Sequence, residues 1–173
     1  FTNDASATGI GSIDSAGSVS DVSGFSICSY TGTGSNGTVK HGLSTAPSTI
    51  IYKRRNSTSG WVVWHKSLGT GILELNETGA SQGGSSYTNG TAPTSSVFSI
   101  GTSGDINADG GTYIAYCFAD VKGYSKVSSY TGNGNADGTF VYTGFKPAFI
   151  MWKGTASTQN WMLVDNKRDV SNL

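Results

Sequence analysis

Two stretches of this sequence place oxygen-bearing side chains at alternate positions ahead of a glycine: Asp105-Ile-Asn107-Ala-Asp109-Gly110 and Asn133-Gly-Asn135-Ala-Asp137-Gly138. Such spacing can wrap a hard cation, and a calcium loop then closes its shell with a carboxylate at the twelfth position. Here the twelfth positions are Tyr116 and Gly144, so both loops lack the closing ligand. Asn-Gly and Asp-Gly are also strong turn signals, and the turn is the simpler reading. Acid–base and nucleophilic chemistry finds less material. The eleven acidic residues are scattered, with Glu74 and Glu77 the one close pair. The two histidines, His41 and His65, sit near no G-x-S-x-G elbow, and neither C-x-x-C nor H-E-x-x-H spacing occurs. No enzyme is expected, and no cofactor beyond the calcium just considered.

The aromatic residues offer a better lead. Trp61, Trp64, Trp152 and Trp161 stand with Tyr30, Tyr52, Tyr87, Tyr130 and Tyr142 in a chain rich in Asn, Asp and Thr. An exposed aromatic face flanked by polar side chains can stack on a sugar ring while the hydroxyls find partners. Trp64, His65, Tyr87 and Trp152 are the ligand-binding candidates. Trp61 and Trp161 read as core, because they occupy equivalent positions in a repeat.

That repeat organises the elements. Ser29-Tyr30-Thr31-Gly32-Thr33-Gly34 returns one hundred residues later as Ser129-Tyr130-Thr131-Gly132-Asn133-Gly134. Pro47, Ile50, Lys53 and Trp61 match Pro147, Ile150, Lys153 and Trp161 at the same offset, and small gaps align Gly37-Thr38 with Gly138-Thr139 and Gly42-Leu43 with Gly144-Phe145. An internal period signals a duplicated structural unit. Short apolar runs at 25–30, 38–41, 49–53, 60–64, 71–75, 97–100 and 112–121, parted by Gly-, Asn-, Ser- and Pro-rich breaks, read as strands. In 112–120, Ile114, Tyr116 and Phe118 share one face, and the small Ala115, Cys117 and Ala119 share the other. No segment holds a helical apolar period, although one turn of helix is conceivable near 68–73.

The expected fold is all-β: antiparallel, β-sandwich or jelly-roll-like sheets of short strands. Residues 1–23 read as a linker or the tail of a preceding unit, 24–123 as a first unit and 124–173 as a second, incomplete one. Strands are expected again at 124–130, 139–142, 148–153 and 160–164. The segment equivalent to 73–121 has no second copy, so either the chain is cut within a unit or two copies flank a shared middle. The first residue is Phe, and the chain is expected to be part of something longer.

Charge narrows the partners. Charged residues are 13% of the chain and the net charge is zero, which argues against a phosphate-binding surface. The one basic run, Lys53-Arg54-Arg55, reads as a solvated strand end. No apolar stretch is long enough to insert in a bilayer. Cys28 and Cys117 lie in apolar runs and read as buried thiols, with a disulfide left open. Four Asn-x-Thr/Ser sequons, at Asn36, Asn56, Asn76 and Asn89, mark exposed loops.

The motifs Ser29-Tyr-Thr-Gly-Thr-Gly-Ser-Asn-Gly-Thr-Val-Lys-His-Gly-Leu43, Thr91-Ala-Pro-Thr-Ser-Ser-Val-Phe-Ser-Ile100, Gly111-Thr-Tyr-Ile-Ala-Tyr-Cys-Phe-Ala119 and Tyr130-Thr-Gly-Asn-Gly-Asn-Ala-Asp-Gly138 resemble a repeat domain in large structural proteins of marine tailed phages. The resemblance covers 25–169. It implies a tail-fibre or other virion-appendage module at the virion surface, assembled with copies of itself, a trimer being usual for fibres; the expected role is part of a host-receptor-binding surface, a host-surface glycan being one candidate partner. It carries over no catalytic residue and no ligand. The alternatives are a carbohydrate-binding module of a secreted or cell-surface protein, and an architectural shaft or capsid-decoration module.

Overall fold

The structure, a computed structural model, describes residues 1–168. The chain is mostly β-strand in antiparallel sheets. The strands are β1 (Thr2–Asn3), β2 (Ser15–Ser20), β3 (Phe25–Thr31), β4 (Gly37–Lys40), β5 (Thr49–Arg54), β6 (Trp61–His65), β7 (Ile72–Glu74), β8 (Val97–Ile100), β9 (Thr112–Phe118), β10 (Phe149–Trp152) and β11 (Met162–Asp165). Three single-turn helices, α1 (Ala5–Thr8), α2 (Ser85–Thr88) and α3 (Gly104–Asn107), and a 3-10 turn at Lys66–Leu68 lie in the connections. No helix among the described residues is long and apolar enough to cross a membrane.

A seven-stranded sheet runs in the order β1-β2-β3-β9-β5-β6-β7, and β4 pairs separately with β8. Alternation decides which side chains face inward. β9 buries Tyr113, Ala115 and Cys117 and leaves Ile114, Tyr116 and Phe118 half-buried on the other face. The same inner face carries Cys28 and Tyr30 from β3, Ile50 and Tyr52 from β5, Val62 and Trp64 from β6, and Ile72 from β7. Val39 of β4 and Phe98 and Ile100 of β8 join them in one core, so the β4–β8 pair lids the large sheet. Phe98 meets Tyr30 and Tyr52 edge-on, at centroid distances of 5.9 and 5.4 Å, and Tyr30 stacks on Tyr113 at 5.3 Å. The small side chains of β9 leave room for these rings.

The N-terminal residues are not a linker. β1 and β2 extend the large sheet at its β3 edge, Ser15 lying opposite Tyr30 and Ser20 opposite Phe25. Small residues are what the position requires: a Cβ at Gly17 would run into the Ile27 carbonyl. Asn3, Ala5, Ile13 and Ser15 are buried, and Asp4 caps α1 by accepting from Ser6 N and Ala7 N. Low apolar content is compatible with an edge strand whose energy comes from backbone pairing.

Residues 124–168, where a second unit is expected, form strands only in part. β10 and β11 pair antiparallel, and their register equals that of β5 and β6 one hundred residues earlier: Thr49↔His65, Ile50↔Trp64 and Ile51↔Val63 become Phe149↔Asp165, Ile150↔Val164 and Met151↔Leu163. The left-handed turns recur as well, with φ of 70° at Gly34 and 68° at Gly134, and 85° at Gly42 and 84° at Gly144. The expected strands at 124–130 and 139–142 are absent. Their counterparts β3 and β4 pair with β2, β9 and β8, none of which has a second copy, whereas the β10–β11 hairpin supplies its own partner. Residues 169–173, expected to end the second unit, lie outside the described residues.

Cys28 and Cys117 are free and buried on the inner face, with Cys28 opposite Ala115 and Cys117 opposite Ser26. Burial pushes the Cys117 thiol well up, which keeps it protonated. His41 is also fully buried. Its Nδ1 accepts from Leu43 N at 3.1 Å and its Nε2 lies 3.1 Å from the Thr94 carbonyl, so the fitting form is the neutral ring protonated on Nε2. Burial holds its pKa below the ordinary histidine value. A depressed folded-state pKa means that the unfolded chain takes up the proton first. The stability contributed is therefore full above about pH 6.5 and is lost as pH falls through the folded value. His65, lowered by burial and by Lys66, adds to the same slope. Urea titrations are expected to show the denaturation midpoint dropping as pH is lowered from about 7.5 to about 5.5, and His41→Gln is expected to flatten that dependence; an unchanged slope in the variant would count against it.

Candidate functional site

One region gathers polar, acidic and aromatic side chains from segments far apart in sequence. It lies where the β5–β6 turn, the loop after β7, α2, α3 and the approach to β11 meet. The loop at 74–79 is held on two sides. Toward β6, Leu75 N donates to the Trp61 carbonyl at 2.8 Å, and Asn76 Oδ1 accepts from Trp61 N at 2.7 Å, so the Asn76 side chain continues the β6–β7 ladder. Toward the second unit, Trp161 Nε1 donates to the Glu74 carbonyl at 2.9 Å, and Gln159 N donates to the Thr78 carbonyl at 2.9 Å. Lys153 Nζ adds bonds to the Thr78 and Gly79 carbonyls at 3.0 and 2.9 Å.

Between these clamps lies a cleft of about 410 Å³, lined by Asn76, Glu77, Thr78, Asn160, Trp161 and Met162 with Leu75. Trp161 is half-buried, while Asn76, Glu77, Thr78 and Asn160 are exposed. Asn76 is engaged with Trp61 N and Glu77, so the indole offers an apolar face with the Asn160 amide, the Thr78 hydroxyl and the Glu77 carboxylate at its rim. That set suits a polyhydroxylated ring, whose C–H face packs on the indole.

Behind the loop is a second polar group. Asp105 accepts from Ser59 Oγ at 2.9 Å and from the Tyr87 hydroxyl at 3.1 Å, one on each carboxylate oxygen. Glu74 stands near it, and its carboxyl is pushed up by burial first, then by the Asp105 and Glu77 charges. Burial likewise raises the Tyr87 phenol. Asp105 thus spends both oxygens on hydroxyl donors, and Tyr87 serves it as a positioning group.

The sequence-based candidates do not assemble into one site. Trp64 is 3% exposed on the inner face, with Nε1 donating to the Gly69 carbonyl at 2.8 Å, so it has no face free for a ligand. The one-residue step along β6 puts His65 on the opposite face, half-buried, where Nδ1 accepts from Ser67 N and caps the 3-10 turn. Trp152 is half-buried on β10, opposite Met162. Trp161, expected in the core, instead forms a cleft wall. Its partners Asn76, Glu77 and Thr78 lie some eighty residues upstream, and no local pattern joins them.

In the two calcium-like loops Asp105, Asn107, Asn133 and Asn135 spend side-chain oxygens on bonds within the protein. Asn107 is fully buried: Oδ1 accepts from Thr33 N at 2.9 Å, and Nδ2 donates to the Ser35 and Gly101 carbonyls at 2.7 and 2.6 Å. Asp109 is exposed. Asn133 Oδ1 accepts from Asn135 N and Asn135 Oδ1 from Asp137 N, at 3.1 and 3.3 Å, in successive side-chain turns. Among the described residues no three His, Cys, Asp or Glu side chains are grouped to hold a metal ion. The basic run is engaged as well: Lys53 Nζ donates to the Ser59 carbonyl at 2.6 Å, and Arg54 lies 5.9 Å over the Tyr113 ring.

Residues 2–173 match the model of a family described as a domain of unknown function (DUF7483), and the chain belongs to that family. No curated protein matches the chain, and no solved structure does.

Asn107 ties the loop at 33–35 to α3 and to the end of β8. Asn107→Ala leaves a donor and two acceptors without their partner and is expected to cost about 2–3 kcal/mol in urea denaturation. The midpoint of the unsubstituted chain is expected to be the same in calcium as in chelator; a rise on adding calcium would restore the cation reading of Asp105, Asn107 and Asp109.

Proposed function

We propose that the chain is a structural module of a phage tail fibre or similar virion appendage, a sandwich-like domain with an internal repeat of about one hundred residues that contributes to host-receptor attachment. The observation that carries this reading is the return of one hairpin register and two left-handed glycine turns in the second unit, with the core positions of that unit left open. Units that repeat along a chain suit shafts and appendages, in which each packs on its neighbours. The resemblance of 25–169 to repeats of marine tailed-phage structural proteins supports the same role. On this reading the module acts at the virion surface, outside any cell, and joins copies of itself, a trimer being the arrangement that fibres favour. Recognition is weak at each site and multiplied by the number of copies. No catalytic role is part of the proposal. Gold-labelled antibody against the purified chain is expected to decorate the tails of particles whose genome encodes it. Clean particles that contain no peptide of the chain by mass spectrometry would overturn the assignment.

The cleft beside Trp161 favours a second reading, a carbohydrate-binding module. It predicts millimolar binding of neutral oligosaccharides by isothermal titration, roughly −4 kcal/mol, lost in Trp161→Ala and weakened in Asn160→Ala. A glycan array without hits at high protein concentration removes this reading and leaves the structural one standing.

A further inference from the structure

Among the described residues, every exposed large apolar side chain except Val19 and Val22 lies between Tyr124 and Leu163. Aligned on the repeat, several of them are core positions of the first unit. Tyr30 is 5% exposed and Tyr130 55%; Ile50 is 0% and Ile150 45%; Val62 is 0% and Met162 48%. Phe140, which aligns with the fully buried Val39, is 86% exposed. β10 reads Phe-Ile-Met-Trp, and its edge away from β11 is paired with no strand among the described residues. An uncharged, apolar edge strand is one that proteins ordinarily cover.

The first unit shows what covers these positions. β5, the counterpart of β10, is paired on that same edge with β9, Ile50 opposite Cys117 and Tyr52 opposite Ala115. β9 also pairs with β3, the counterpart of 125–131, and β8 pairs with β4. The fit depends on residue size. Ala115 and Cys117 stand where large side chains of β3 and β5 need space, and Phe98 of β8 fills the gap between Tyr30 and Tyr52. The second unit keeps Tyr130, Ile150 and Trp152 at the matching positions.

We infer that the open face of residues 124–165 is a docking surface for a strand pair with the pattern of β8 and β9, supplied by another unit of the same family. The incoming β9-like strand adds to the free edge of β10, with small residues facing inward, and draws 125–131 into the sheet on its other side. The β8-like strand covers Phe140. The inference rests on the repeated-unit reading and is independent of the virion role.

The test uses the full chain and a longer form in which a copy of residues 72–123 follows Arg168. Hydrogen exchange followed by mass spectrometry is expected to slow by about ten-fold or more at 125–131 and 149–152 in the longer form, with the first unit unchanged. The same form carrying Ile150→Asp is expected to lose that protection while the first unit keeps its melting temperature, since Ile150 belongs to no part of the first core. Equal exchange in the two forms, with the appended segment itself unprotected, would overturn the inference. Cross-strand NMR contacts between Ile150 and Val164 separate the two failures. If they are present without docking, only this inference falls; if they are missing, the repeated-unit reading falls with it.

Discussion

β9 is the element on which the rest of the structure depends. Among the described residues it alone is hydrogen-bonded to both β3 and β5, and without it the seven-stranded sheet would fall into two pieces. Its partners lie far from it in sequence, so the sheet closes only when the end of the first unit returns to its beginning. Such a closure carries a loop-entropy cost that burial must exceed. On the inner face of β9 the small Ala115 and Cys117 leave room for Tyr30, Tyr52 and Phe98 to pack with β9's own Tyr113 in one aromatic core.

Residues 124–168 show what happens where no such strand is paired. The hairpin at β10 and β11 forms because each strand is the other's partner. The segments matching β3 and β4 keep their turn glycines in the left-handed conformation but form no strands. Local backbone preference therefore survives where the pairing does not. Strand formation at these positions depends on a partner, since an unpaired strand exposes its N–H and C=O groups and gains no buried area in return.

The candidate cleft follows from this same arrangement. It lies where the loop after β7 meets the β10–β11 hairpin, and three backbone carbonyls of the loop accept hydrogen bonds from Gln159, Lys153 and Trp161 of the hairpin. Trp61, one hundred residues earlier, instead stacks on Tyr116 of β9 at 6.4 Å. Equivalent residues thus fall in different surroundings, one against a sheet and one at a cleft.

Much of the architecture was legible in the residues. The apolar runs located the strands between residues 25 and 118 to within three residues, and in β9 alternation set Ala115 and Cys117 on the face opposite Ile114, Tyr116 and Phe118. The offset of one hundred located the second hairpin. What the pattern could not supply was pairing. Residues 1–23 looked like a linker because their strands carry small polar side chains, and edge pairing depends on backbone groups that every residue has. Trp64 looked available to a ligand, yet it lies on the inner face of a strand with apolar residues on both faces, and only the lid of β4 and β8 distinguishes the two. Asn107 had the spacing of a cation ligand, but the tertiary fold brought the carbonyls of Ser35 and Gly101 within its reach. By itself the sequence determined the all-β character and the strand positions between residues 25 and 118, which are set by alternation and steric preference within a few residues. The tertiary structure alone decided which strands are joined, which face is covered and where Trp161 meets Asn76 and Glu77, because those depend on contacts between residues tens of positions apart.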